Sequence, residues 1–180
     1  MAKIGCKHLI FCPNEESATA VKVGALISAD LTINTADASL YGDDVRQEYT
    51  SEFISASLAV NTTDVTPAIE AELLGSNLSS STNELVDNAG DNAPEGKLGY
   101  YRTLMVNGVK KYEGVYFDRV KASIPSESDA TKGESISFGS YDITFAISAD
   151  ATSGNWRHRE RFNSESACKT WLDTALGYTE

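Results

Sequence analysis

The histidines and cysteines are the residues in this chain whose side chains could support metal binding or catalysis. Cys6, His8 and Cys12 share one face of a predicted strand over 3–11, and residues two apart on a strand can hold one zinc ion together. Their spacing matches no standard zinc site, and no fourth ligand is evident. We therefore favour a core or interface face over a metal site.

Other catalytic arrangements find little support in the sequence. A nucleophile has only His8 and His158 as imidazole bases, and the G-x-S-x-G, GxxxxGK[ST] and GxGxxG motifs are absent. The carboxylate pair Asp43-Asp44 lies in a polar stretch, where the burial that would raise one pKa is not expected. A solvated turn explains this pair better. The sequence predicts no enzyme, no metal site and no cofactor.

Three arginines form the clearest charge pattern. Arg157, Arg159 and Arg161 alternate, so they lie on one face of a predicted strand, with Trp156 and Phe162 opposite. One interpretation is a solvated face balanced by nearby carboxylates. The other is a contact between subunits, because guanidinium forks pair well with carboxylates of a neighbouring copy. DNA binding ranks third, since the surrounding charge is negative.

Composition limits the class of protein. The chain has 180 residues, 41% of them hydrophobic, and 15 Lys plus Arg against 26 Asp plus Glu give a net charge of -11. One soluble domain over 1–180 is predicted. The acidic balance disfavours a protein that wraps duplex DNA but permits one through which nucleic acid passes. No membrane helix or signal-peptide core is evident, and three cysteines suggest reduced thiols in the cytosol.

Alternation of apolar and polar residues predicts mainly antiparallel strands that expose one face to water. The predicted core positions are Ala29, Leu31 and Ile33 in one strand, Ile54, Ala56, Leu58 and Val60 in a second, and Tyr141, Ile143, Phe145, Ile147 and Ala149 in a third. Asn107-Gly108 predicts a two-residue hairpin turn. Predicted strands cover 3–11, 28–34, 52–60, 98–106, 109–124, 133–138, 141–149 and 155–162. The fold class is α+β, mainly antiparallel β.

Two helices are predicted beside the sheet. The first covers 64–74, with Asp64 as its cap, Pro67 in its first turn and Gly75 at its end. The second covers 164–176 and has one apolar face. Both are expected to pack against strands.

Eight segments in order along the chain resemble the major tail protein (tail tube protein) family of temperate, siphovirus-type phages of Gram-positive hosts. They are Phe11-Cys12-Pro13, 29–35, 40–44, 71–75, 88–94, 105–112, 131–138 and Gly154-Asn155-Trp156. The segments span nearly the whole chain, and their ordered combination carries the resemblance.

The resemblance implies a β-sandwich or split barrel with flanking helices. It also implies hexameric rings that stack into a tail tube through which DNA passes during ejection, without catalysis. The implied partners are other copies of the chain, the tape-measure protein, the tail terminator and distal tail proteins. DNA would pass transiently and non-specifically, and no membrane would be involved. The protein would be made in the host cytoplasm and reside in the virion tail.

Two alternatives remain open. One is a tube subunit of a related contractile-injection or secretion machine. The other is a monomeric β-sandwich binding module, for which Tyr100, Tyr101, Tyr112 and Tyr116 could supply an aromatic platform.

A long polar loop is predicted at about 35–51, and we expect it to contact the next ring, because loops of this length usually have a function. The predicted inter-ring residues are Asp37, Leu40, Tyr41, Asp43, Asp44, Arg46 and Glu48. The basic residues Arg157, Arg159 and Arg161 are predicted to contact a neighbouring subunit.

Overall fold

The computed structural model describes residues 2–15, 18–63, 65–125 and 140–179. In chain order the elements are β1 (Ala2–Pro13), β2 (Val21–Lys22), β3 (Leu26–Gly42), β4 (Val45–Thr62), α1 (Pro67–Leu74), β5 (Asn77–Leu78), β6 (Leu85–Val86), β7 (Glu95–Val106), β8 (Val109–Ala122), β9 (Tyr141–Ile147), β10 (His158–Phe162) and α2 (Glu165–Leu176). The predicted α+β class, mainly antiparallel β, is confirmed. The strand predicted at 133–138 lies outside the described residues.

Antiparallel pairing joins eight strands in the order β2-β1-β7-β8-β9-β4-β3, with β10 added to β8. β8 changes partner along its length: Tyr112–Tyr116 pairs with β10, whereas Val120–Ala122 pairs with β9. This change of partner splits the sheet into two halves. Within the described residues the sheet remains open and closes no barrel.

The main core lies between these two halves of the sheet. Phe11 on β1, Phe117 on β8 and Phe145 on β9 are all fully buried, and the rings of Phe11 and Phe145 lie 6.3 Å apart. Leu73 of α1 belongs to the same cluster. The predicted alternation in β9 is confirmed here, because Ile143, Phe145 and Ile147 are buried while the residues between them are exposed.

A second core lies between α2 and the outer face of β1, β7 and β8. Cys168, Leu172 and Leu176 of the helix are buried against residues such as Ile10 and Tyr101. β1 therefore has a core on both faces, which explains its run of four buried residues from His8 to Phe11. An added Cβ would lie 2.7 Å from Leu172 at Gly99 and 2.6 Å from Trp171 at Gly114, so these glycines allow the helix to pack closely.

Local signals place several element ends. Asn107 and Gly108 have φ angles of 50° and 79°, as a type I′ hairpin turn requires. The Ser164 side chain accepts a hydrogen bond from the Ala167 amide and caps α2. The predicted cap of the first helix, Asp64, lies outside the described residues.

The prediction of a loop over 35–51 is wrong, because this segment is the outer part of the β3–β4 hairpin. Cross-strand pairing continues from Leu26 opposite Thr62 to Gly42 opposite Val45. The connecting residues Asp43 and Asp44 have φ angles of 51° and 63°, so the predicted turn is real. The ribbon buries neither face. On β3, Ala36, Ala38 and Leu40 do alternate with polar residues, but no regular alternation occurs over 45–51 of β4, so only one of the two strands carries the usual sequence signal.

The expected core positions of these two strands are only partly correct. Ala56, Leu58 and Val60 are buried as predicted, but Ile33 and Ile54 are exposed by 43% and 60%. A bulge causes the change at Ile54, because Asn34 pairs with Ser55 while Thr35 pairs with Phe53. Phe53 therefore packs against the core in place of Ile54.

No helix in the described part of the chain is long and apolar enough to cross a membrane.

Candidate functional site

The outer part of the β3–β4 hairpin, residues 35–52, is hereafter called the arm. Every arm residue whose burial is described is exposed. Four of them are large and apolar: Leu40, Tyr41, Val45 and Tyr49 are exposed by 61%, 66%, 61% and 52%. From residue 35 to residue 43 the ribbon extends roughly 26 Å at about 3.3 Å per residue. The arm therefore presents apolar side chains on an extended element with little support of its own.

Charge on the arm is strongly negative. Five carboxylates, those of Asp37, Asp43, Asp44, Glu48 and Glu52, accompany one arginine, Arg46. Glu48 and Glu52 lie on the same face of the ribbon, opposite Leu40 and Ala36 on β3. The arm is thus an acidic ribbon with an apolar component.

Two contacts within the arm order its side chains. The Tyr49 hydroxyl donates to Asp37 Oδ1 over 3.1 Å, and the Arg46 guanidinium lies 4.9 Å from the centre of the Tyr49 ring. Hydrogen bonds from Ser51 and Tyr49 hold the pKa of Asp37 below its ordinary value, so this carboxylate is charged at neutral pH. All seven predicted inter-ring residues lie on this one element.

The second candidate surface is built around Glu113, a carboxylate that is only 3% exposed. Arg161 Nε donates to Glu113 Oε1 over 2.8 Å, and Arg102 Nε donates to Oε2 over 2.7 Å. Burial alone would raise the pKa of Glu113, but the hydrogen bonds and charges of the two arginines hold it below its ordinary value. Glu113 therefore carries a charge that both arginines share.

Two further arginines extend this group. The Arg157 guanidinium lies 4.4 Å from the centre of the Trp156 ring, and Arg159 is exposed opposite Val115. Burial, with repulsion from Arg159 and Arg102, lowers the pKa of Arg157. We call Arg102, Arg157, Arg159 and Arg161 the arginine cluster.

The cluster and the arm meet at the base of the arm. Trp156 stacks on Phe53 with ring centres 4.4 Å apart, and it also stacks on Phe117 of the core. Trp156 therefore packs on the main core, on the same face of the sheet as Arg159 and its partner Val115. The prediction that Trp156 lies on the face opposite the arginines is wrong. Phe162 does lie opposite, against α2.

Arg102 and Glu113 were missed by reasoning from the sequence, although a signal for them exists. The two-residue turn at Asn107-Gly108 fixes the register of β7 and β8, and Arg102 opposite Glu113 is the fifth pair from that turn. Opposite charges at such a position predict a cross-strand ion pair. The structure adds Arg161, which reaches the same carboxylate from β10.

The histidines and cysteines are used in packing. A bulge at His8, which has a φ of 62°, places Cys6 on the main core and Cys12 on the second core, so these three side chains do not converge. His8 Nε2 lies 2.7 Å from Asp173 Oδ1, and His158 Nε2 lies 2.6 Å from Asp118 Oδ2. No metal-binding group of three or more such side chains occurs among the described residues.

The tyrosines proposed as an aromatic platform are occupied within the protein. Tyr100 and Tyr101 are only 4% and 5% exposed. Tyr112 and Tyr116 pack against the second core, and Tyr116 also stacks on His158. These rings form no exposed surface for a flat ligand.

A scan against models of protein families finds no family that matches this chain, and a search of curated proteins finds no matching relative.

Proposed function

We propose that this chain is a structural subunit that assembles with copies of itself into stacked, hexameric rings, forming the tail tube of a long-tailed phage. The observation that carries the proposal is the arm, a long ribbon that exposes both faces and four large apolar residues. The assignment to a phage tail rests on the ordered resemblance to tail tube proteins. DNA would pass through the tube during ejection.

The physical argument begins with the cost of an unsupported arm. An isolated two-stranded ribbon is marginally stable in water, because it orders its backbone without burying apolar area. The exposed Leu40, Tyr41, Val45 and Tyr49 add apolar area that a partner would cover. Another copy of the chain is always present at the same concentration as the arm itself. Self-assembly therefore explains the exposed arm without a second kind of protein.

Unpaired strand edges support the same proposal. In the described structure β3 pairs only with β4, and β10 pairs only with β8. β3 is seventeen residues long, and such an edge invites further strand pairing unless it is covered. Ring formation would cover these edges by closure, since each copy would offer an edge to the next.

The charge of the chain suits the passage of DNA. Every copy carries a net charge of -11, and a tube repeats that charge along its length. A negative field repels phosphate, so DNA would slide without adhering. In this role the protein needs no catalysis and no cofactor. Its other partners would be the tape-measure, tail terminator and distal tail proteins, with the virion tail as its final location.

Electron microscopy of the concentrated, purified chain tests this proposal. We expect rings or tubes of uniform diameter, accompanied by fast-sedimenting species in the ultracentrifuge. A chain that stays monomeric at every concentration, including after addition of the other tail components, would refute the assembly role.

A shortened arm tests its importance more directly. Asp37 and Ser51 are cross-strand partners, so residues 38–50 can be replaced by Asn-Gly to give a tight hairpin. We expect this variant to keep the far-ultraviolet circular dichroism spectrum and the midpoint of unfolding while losing tube formation. Tubes of normal length from the shortened chain would show that the arm does not join rings.

A further inference from the structure

We propose that the arginine cluster is the docking site for the acidic arm of a second copy, so that the arm of one subunit contacts the base of the next. This inference rests on the proposed self-assembly and identifies the residues that make the contact. The groups involved are the guanidiniums of Arg157 and Arg159 on one copy and the arm carboxylates on the other.

The first argument is the charge imbalance within the cluster. The cluster contains four guanidiniums, and the one carboxylate paired with them is that of Glu113, so three positive charges are in excess in a chain whose net charge is -11. Arg102 and Arg161 share Glu113. Among the described residues, Arg157 and Arg159 have no carboxylate within ion-pair distance. These two arginines can therefore bind a carboxylate of another molecule.

The second argument is that three of the four arginines, Arg102, Arg157 and Arg161, are already held by contacts within the chain. Arg157 is stacked on Trp156, which is itself held by Phe53 and Phe117. Docking would therefore cost less side-chain entropy than it does for a free surface arginine. Burial and repulsion from the neighbouring arginines disfavour the charged form of Arg157. An incoming carboxylate would relieve that repulsion and add charge-assisted hydrogen bonds.

The third argument identifies the occupant. The arm has five exposed carboxylates against one arginine, and three of them, those of Asp43, Asp44 and Glu48, lie in its outer half, away from Phe53. The exposed Leu40, which pairs with Glu48, and Tyr41 provide apolar surface beside that charge. The arm therefore matches the cluster in sign of charge and carries apolar area that docking would bury.

The fourth argument is that the arm of the same chain cannot fill this site. Phe53 anchors the base of the arm on Trp156, whereas Glu48 and the tip at Asp43 lie roughly 16 Å and 26 Å further along a continuous ladder. The tip must therefore reach a different copy. A contact between unlike surfaces, tip to base, does not close on itself as a twofold dimer does, and it propagates into an extended assembly.

A charge-reversal experiment on the full chain tests this contact. The variants are Arg159→Glu in the cluster and Glu48→Arg in the arm. Lys22→Glu, which makes the same charge change at an exposed residue of β2, is the matched control. The concentration at which tubes appear is measured by sedimentation and electron microscopy, and thermal unfolding of each monomer confirms folding. Arg159→Gln serves as a milder second variant.

We expect Arg159→Glu and Glu48→Arg each to raise the assembly concentration by roughly tenfold or more, and Lys22→Glu to leave it unchanged. Mixing the two defective proteins in equal amounts should restore tubes, because the acidic arm of one then meets the basic cluster of the other, and the reversed arm meets the reversed cluster. Arg159→Gln should fall between wild type and Arg159→Glu.

Two results would overturn the inference while leaving self-assembly intact: tubes from Arg159→Glu at the wild-type concentration, or defective variants that fail to complement each other. If Arg159→Glu assembled normally but lost binding to a DNA oligonucleotide, the cluster would be a nucleic-acid site and the inference would again be wrong. Failure of the wild-type chain to polymerise would instead refute the proposed function on which the inference rests.

Discussion

The two ends of the β3–β4 hairpin belong to one continuous ladder but have opposite surroundings. Near the body, Ala56, Leu58 and Val60 are almost completely buried. In the arm, every residue whose burial is described is exposed. The comparison shows that strands can remain paired through their backbones without burying side chains. The body end of the hairpin packs on a hydrophobic core, whereas the arm continues the same pairing without a core. An element supported in this way is available for contacts with another molecule.

The largest expected difference between the two regions concerns apolar side chains. Phe145→Ala removes a fully buried ring from the body and should lower the free energy of unfolding by about 4 kcal/mol. Tyr41→Ala removes a ring that is 66% exposed on the arm and should change it by less than about 0.5 kcal/mol. Urea denaturation of the monomers measures both. Equal losses would show that the arm contributes to stability as the body does.

The buried charge at Glu113 should give the next largest effect. Glu113→Gln leaves Arg102 and Arg161 without their shared carboxylate and should cost about 3 kcal/mol. Because the pKa of Glu113 is lowered in the folded protein, its contribution is fully present above the ordinary value of 4.5. The contribution is lost as the pH falls through the lower, folded value. Unfolding free energies between pH 7 and pH 3 should therefore fall less steeply for Glu113→Gln, and profiles of equal slope would contradict this expectation.

The close packing of α2 on the body predicts a smaller effect. In Gly114→Ala the new Cβ would lie 2.6 Å from the Trp171 ring, so the helix must shift, at a cost of about 2 kcal/mol. Gly5→Ala is the control, because nothing lies within 4 Å of an added Cβ there. Thermal unfolding of the two variants makes the comparison. Similar midpoints would mean that the helix packs less tightly than the structure shows.

The smallest effect is expected at the tip of the arm. Asp44 has a φ of 63°, and Asp44→Gly relieves about 1 kcal/mol of backbone strain. We expect slower hydrogen exchange of arm amides and an unchanged free energy of global unfolding, because the arm opens independently of the body. A global gain of the same size would show that the arm unfolds together with the body.

The body was largely predictable from the sequence, and the arm was not. Ile143, Phe145 and Ile147 alternate with polar residues because one face is buried, and Asn107-Gly108 marks its turn directly. On the arm, Ala36, Ala38 and Leu40 alternate with polar residues in β3, but 45–51 of β4 shows no regular alternation, and neither face is buried. The turn at Asp43-Asp44 is predicted correctly, but the strands beside it are not, because one short alternation among mostly polar residues does not distinguish an exposed strand from a loop.

The arginines show the same limit at the level of side chains. Arg159 and Arg161 were correctly assigned to one strand face. The sequence did not indicate that Arg161 is tied to a buried carboxylate whereas Arg159 remains exposed. That difference depends on which strand lies beside β10, and the pairing of β10 with β8 joins residues more than forty positions apart.

The second core has a consequence for the order of folding. Ile10 and Leu176 belong to this one cluster, and His8 contacts Asp173 across it. During synthesis the main core can be completed once β9 has emerged, but the cover over the outer face of β1 must wait for the last described helix. Contacts at such large sequence separation form slowly. In a newly made subunit, the outer face of β1, β7 and β8 is therefore exposed until α2 packs on it, and the subunit can assemble with other copies only after that step.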